Sequence, residues 1–254
     1  DANSSLTLNN LATVATFDAT GDDNTVTYSG SGQDVLIADY ENLVINQSAG
    51  EATLVGNTDV NKSLTLAARN LNLNGFVLTL GSSASITPVA FSSSRMIIAS
   101  GGSELRKVYT ANGSFAFPIG DNSGMLEYSP ITVNVTASGG YSSAYIGASV
   151  TDAKHPNNVS ATHFISRYWE IAQSGITTPT VTVTGTYVAS DINGTQNLAN
   201  SARLTGSFNQ ISNPWIKSSE ALGGNTLMFT GSSLAAGVSA FTGITGVDPV
   251  ITVD

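Results

Sequence analysis

Chemistry needs side chains that titrate, ligate or attack, and this chain offers few. His155 and His163 are its two histidines, and Asp152 and Glu170 are the carboxylates nearest to them in sequence. Their separation matches no zinc-ligand spacing. His155, followed by Pro156 and Asn157, reads as a turn residue, and His163 as the start of a strand. There is no Cys, which removes thiolate metal sites, disulfides and thiol nucleophiles. Serine is abundant, but no G-x-S-x-G elbow presents one as a nucleophile, and no Ser/His/acid set stands out. Asp22-Asp23-Asn24 with Asp34 or Asp39, and Asp191-x-Asn193-Gly194, carry oxygen donors of the kind calcium takes, without the full ligand series of a calcium loop. No paired acidic motif of a glycoside hydrolase is evident. The sequence assigns no catalytic, metal-binding or cofactor-binding residue, and the expectation is a protein that is not an enzyme.

Aromatic residues supply the remaining candidates. In Arg167-Tyr168-Trp169-Glu170, a period of two groups Trp169 with Ile165 and Ile171 on the core side. Arg167 falls on that side too, so it must reach a sheet margin or pair with an acid. Trp215, Tyr141 and Tyr145, with Tyr40, are the candidates to stack on a sugar ring. Thr180, Thr182, Thr184 and Thr186 make one threonine row. Ice-binding surfaces repeat such rows across several flat strands, so β-propensity on a solvated face is the expectation here.

Positioning falls to β-structure. Only 11% of the 254 residues are charged, against roughly 25% in an average domain. Good helix formers are scarce, and Thr, Val, Ser, Asn and Gly dominate, a mixture that suits strands and tight turns. Hydrophobic residues reach 41%, enough for a core. The net charge of −9 disfavours nucleic acid and anionic membranes as partners. No apolar run approaches the ~20 residues of a spanning helix. The start at Asp1 reads as a mature, processed product.

Residues 1–105 read as short strands punctuated by Gly, Asn and Ser. Leu43-Val44-Ile45 recurs as Leu64-Thr65-Leu66 and then as Ser85-Ile86-Thr87, a loose period near 20 residues that predicts a β-solenoid-like stack of coils, with an ordinary sandwich of evenly spaced strands as the rival reading. Residues 106–246 have longer strands and more aromatics. Ile131, Val133 and Val135 alternate with Thr132, Asn134 and Thr136, which predicts an antiparallel β-sandwich. Residues 247–254 form a short apolar tail in which Pro249 favours an edge position.

Several segments occur in a telling order: Leu71-Asn-Leu-Asn-Gly75, Gly113-Ser-Phe-Ala-Phe-Pro-Ile-Gly120, Tyr128-Ser-Pro-Ile-Thr-Val133, His155-Pro-Asn157, Arg167-Tyr-Trp169, Asp191-Ile-Asn-Gly194 and Ala240-Phe-Thr-Gly243. In these the chain resembles the repetitive β-rich surface proteins of Bacteroidota exported by type IX secretion. The resemblance spans about residues 60 to 245 and implies a secreted or cell-surface location. It brings no catalytic residues.

The resulting expectation is a non-enzymatic extracellular structural protein, a filament or adhesive-layer subunit whose partners are copies of itself. Leu6, Leu8, Leu11 and Val14 near one end, and Val247, Val250, Ile251 and Val253 near the other, are the expected inter-subunit contacts. A monomeric carbohydrate-binding adhesin is the rival, with surface glycans as partners.

Overall fold

A computed structural model describes residues 3–9, 17–87 and 90–245. The chain is all-β: among the described residues there is no α-helix, only two 3-10 turns at Ala189–Asp191 and Gln196–Leu198. The first part is a β-solenoid. Each coil lays one strand on a first parallel sheet, turns a corner, and lays a shorter strand on a second. The first sheet stacks Ser5–Leu8, Thr25–Tyr28, Asp39–Asn46, Thr58–Ala68, Val77–Leu80 and Glu104–Tyr109, with Ser85–Thr87 beside Thr58–Ala68. The second stacks Asp34–Val35, Ala52–Leu54, Leu71–Asn72, Ile97–Ile98 and Ile119–Asp121, closed by antiparallel Glu127–Tyr128.

Alternation decides which side chains enter. Leu43 stands beside Leu64 and Ile45 beside Leu66, all fully buried. Leu78 beside Leu105 continues the stack, while Leu71, Ile97 and Ile119 line up on the opposite sheet. The third repeat differs from the sequence reading by one residue: Ile86, not Ser85, lies beside Leu64. A one-residue slip would have turned Ile86 outward, so the apolar side chain sets the register.

The outward face of the same strands carries mostly small polar residues in register: Ser5 and Thr7, Thr25 and Thr27, Asn42, Ser63 and Thr65, Ser85 and Thr87, with the apolar Val44 between Thr27 and Thr65. Ser63 Oγ donates to Asn42 Oδ1 at 2.6 Å, and the Thr65 and Thr87 hydroxyls bond at 2.9 Å. The threonine row on Thr180–Thr186 is therefore matched by a broader hydroxyl array on the solenoid.

The first sheet does not stop where the solenoid does. Glu104–Tyr109 pairs in parallel with Val77–Leu80 on one side and antiparallel with Gly140–Thr151 on the other. From there the sheet runs through Tyr168–Thr177, Gly237–Thr245 and Ala199–Thr205 to Ile216–Ala221, giving twelve strands. A four-stranded antiparallel sheet, Gly113–Phe117, Ile131–Ala137, Thr180–Thr186 and Thr226–Ser233, completes a sandwich with its antiparallel half. Val133, Val181 and Val183 point inward, as the alternation predicts. Phe229 meets Phe241 edge-on at 6.0 Å across the sandwich, and one hydrophobic cluster extends from Ala19 to Phe241.

Candidate functional site

Two polar constellations stand out. The first surrounds Arg167, which is fully buried immediately before strand Tyr168–Thr177. Its Nε donates to Asp191 Oδ2 at 2.6 Å, Nη1 donates to Asp121, and Nη2 donates to Glu127 and lies 3.3 Å from Asp152 Oδ1. Each acid comes from a different place. Asp121 ends the last coil's second-sheet strand, Glu127 lies on its antiparallel neighbour, Asp152 follows Gly140–Thr151, and Asp191 sits in a 3-10 turn. Backbone amides hold two of them: Ser123 N–H donates to Asp121 at 3.0 Å and Val188 N–H to Asp191 at 3.2 Å.

One cation thus faces four carboxylates. Burial works against the Arg167 charge, but the hydrogen bonds to Asp191 and Asp121 outweigh it and push its pKa up. Burial also raises Glu127 and Asp191, and Arg167 offsets that rise only in part. Oxygens of Asp121, Glu127 and Asp152 lie within 4.8 Å of one another, a donor set suited to a hard cation, and the guanidinium reaches all three. The cluster fastens the solenoid's last coil to the sandwich.

The second constellation is a groove where three successive coils turn from the first sheet to the second. Gln47 and Ser48, then Ala67, Ala68 and Arg69, then Ser94 and Arg95 line a cavity of about 380 Å³. Buried amides fix these corners. Gln47 Nε2 donates to Gln33 Oε1 at 3.1 Å, and Gln47 Oε1 accepts from Gln33 N–H at 3.1 Å. Asn70 accepts from Met96 N–H at 3.0 Å and donates to Ser93 O at 3.1 Å, which holds the segment bearing Ser94 and Arg95.

The sugar-stacking candidates do not converge. Trp215 is half-buried, donates to Asn157 O at 2.8 Å and meets His155 edge-on at 5.0 Å. Tyr141 and Tyr145 lie on Gly140–Thr151, and three strands separate that strand from Ile216–Ala221, which follows Trp215. Tyr141 donates to Asn112, and the Arg106 guanidinium covers the Tyr145 ring at 4.4 Å. Tyr40 is a core residue: Leu36 N–H donates to Tyr28 Oη, Tyr28 pairs with Tyr40, and Tyr40 returns a hydrogen bond to Leu36 O. Of the expected contact residues, Leu6 is exposed and Leu8 packs against the chain's own core. Leu11, Val14, Val247, Val250, Ile251 and Val253 lie outside the described residues. Asp23 pairs with Lys62, and Asp191 is committed to Arg167. His155 Nδ1 accepts from Asn157 N–H, and His163 Nδ1 from Thr195 N–H.

No known protein family matches this chain, nor does any curated protein or solved structure. Reasoning from sequence put Arg167 on the core side with an acid as one of its two expected outcomes, which the structure shows, but it named none of the four acids as partners and missed the corner groove. Acids at positions 121, 127, 152 and 191 meet only through the topology, and corner residues carry no periodic signal.

Proposed function

We propose that this protein is a non-enzymatic, secreted structural subunit of an extracellular filament or adhesive surface layer, built by head-to-tail strand contacts. One observation carries the reading. The twelve-stranded sheet ends in two different strands, Ser5–Leu8 and Ile216–Ala221, each hydrogen-bonded on one side only among the described residues. Both are mostly exposed, with Leu6 at 43% and Ile216 at 49%. An open edge is a template for another strand. When two unlike edges of one body join, the contact is heterologous and repeats without closing, which yields a fibre. The sequences around Leu11 and Val14 and around Val247, Val250, Ile251 and Val253, which lie outside the described residues, carry the apolar side chains that a donated segment would need. The resemblance to type IX surface proteins of Bacteroidota supports an extracellular setting.

The test is negative-stain electron microscopy and sedimentation of the purified chain at micromolar concentration. The wild type is expected to form filaments, and Leu6→Lys with Ile216→Lys to give folded monomers. A wild type that stays monomeric throughout, or filaments unchanged by both substitutions and by deletion of residues 246–254, overturns the reading.

A further inference from the structure

Basic residues are scarce here, and most are engaged. Lys62, Arg106 and Arg167 sit on carboxylates, Lys107 and Lys154 on backbone carbonyls, and Arg203 on Ser232. Arg69 and Arg95 differ. Among the described residues neither has a carboxylate partner, and Arg69 makes only a 3.4 Å contact to Ser48 O. Both line the corner groove with Ser48, Ala67, Ala68 and Ser94. The Ser48 hydroxyl donates to Gly30 O at 2.9 Å, and the Ser94 hydroxyl pairs with that of Ser92 at 3.1 Å.

This placement has a chemical meaning. Guanidinium groups recognise oxyanions through paired hydrogen bonds. Two in one cavity with no internal counter-charge leave those bonds to a ligand. The net charge of −9 does not prevent this, because carboxylates beyond a Debye length of about 8 Å are largely screened at physiological salt. The groove, of about 380 Å³, is open and lined mostly by exposed residues, so a chain could lie across it without being enclosed. It crosses three coils along the solenoid axis, so it is elongated and suits a linear chain. The small Ser and Ala residues beside the arginines leave room for a sugar ring in place of an aromatic platform.

Arg69 also holds a left-handed backbone, with φ of 72°. That conformation is uncommon and strained for a residue other than glycine. Glycine would relieve it. An arginine at this corner therefore keeps its charge over the cavity at the expense of the turn.

We propose that the groove binds a linear acidic polysaccharide through the oxyanions of its sugar units, carboxylate or sulfate. This is independent of filament assembly, since the groove lies within one subunit, and it gives the surface protein an adhesive target.

Isothermal titration of the full chain tests it, using an oligogalacturonide as the carboxylate probe, a sulfated oligosaccharide as the sulfate probe, a neutral oligoglucan and inorganic sulfate. At least one acidic oligosaccharide should bind, less tightly as salt rises, and the neutral glucan should not. Arg69→Gly and Arg95→Ala should each weaken binding about tenfold or more, on the scale of one charge-assisted hydrogen bond. Because Arg69→Gly suits the backbone, its melting temperature should equal or exceed that of the wild type, which separates lost binding from lost folding. Which acidic probe binds identifies the oxyanion. Failure of both to bind, unchanged binding by the double variant, or equal affinity for inorganic sulfate alone, meaning an adventitious ion only, overturns the proposal.

Discussion

Arg167 and Asp121, both fully buried, form an ion pair between the sandwich and the last coil of the solenoid. Asp191, Glu127 and Asp152 complete the ring around the same guanidinium. Removing the cation would leave four carboxylates facing one another. Breaking a buried pair by deleting one partner costs about 3–5 kcal/mol. Arg167→Met is therefore expected to lose that much stability in urea unfolding. Arg167→Lys should recover little of it, because a point charge cannot address acids on three sides. A fully stable Arg167→Met protein would show that the acids do not need the arginine.

Acidity offers a second handle on the cluster. Burial raises the pKa of Glu127, Arg167 pulls it back only in part, and the neighbouring acids add to the rise. The folded protein thus holds this proton more tightly than the unfolded chain. Stability contributed by Glu127 increases as pH falls toward the ordinary value of 4.5 and is lost as pH rises through the folded pKa. Asp191 and Glu170, also raised by burial, act in the same sense, and His155, lowered by burial, in the opposite sense below its ordinary 6.5, so the wild-type curve alone mixes these groups. Comparison with Glu127→Gln isolates the carboxylate. The variant should be the more stable at neutral pH, with the gap closing as the solution is acidified. A gap that does not change with pH would assign the difference to something other than ionisation.

Gly120 stands just before Asp121, and a Cβ there would lie 2.2 Å from Glu127 O and 2.3 Å from Met96 Sδ. The methionine tip can swing away, but the backbone carbonyl of the paired strand cannot. Gly120→Ala should force Ile119–Asp121 from Glu127–Tyr128 and displace two acids of the Arg167 cluster together. A loss of roughly 1–3 kcal/mol is expected, in the range of overpacked cores. Chemical denaturation measures it.

Lys107 is buried, and its Nζ donates to the carbonyls of Gly81, Ser82 and Ala84 at 2.5, 2.9 and 2.6 Å. Three acceptors of one turn depend on one ammonium. Lys107→Met keeps much of the side-chain volume but removes every donor. Stability should fall by about 1–3 kcal/mol for the acceptors left unmade. Hydrogen exchange should quicken at Ala84, whose N–H donates to Gly81 O within this turn, and at Gly81, whose N–H donates to Val60 O on the neighbouring strand. Unaltered exchange there would mean that the turn stands without its clamp.

Much of the architecture was legible in the residues. Leu43 and Leu64 announced a coil period because stacked apolar side chains must recur at a nearly fixed spacing. The alternation through Ile131, Val133 and Val135 announced a half-buried antiparallel strand. The third coil was read one residue out, since Ser85-Ile86-Thr87 has a single apolar side chain to fix the phase. The candidate sites were far less legible. Period two put Arg167 on the core side, yet its partners lie 46, 40, 15 and 24 residues away in the chain and meet through packing alone. Tyr40 reads as a surface aromatic until its hydroxyl is paired with Tyr28. Arg69 and Arg95 sit at corners, where side chains follow neither a strand nor a helix period, and only the stacking of coils shows that they share a cavity.

Strand Glu104–Tyr109 belongs to two ladders at once, parallel on one flank and antiparallel on the other. Fraying it deprives both neighbours of their template together, so heating should reveal one calorimetric transition where a two-module chain would show a pair.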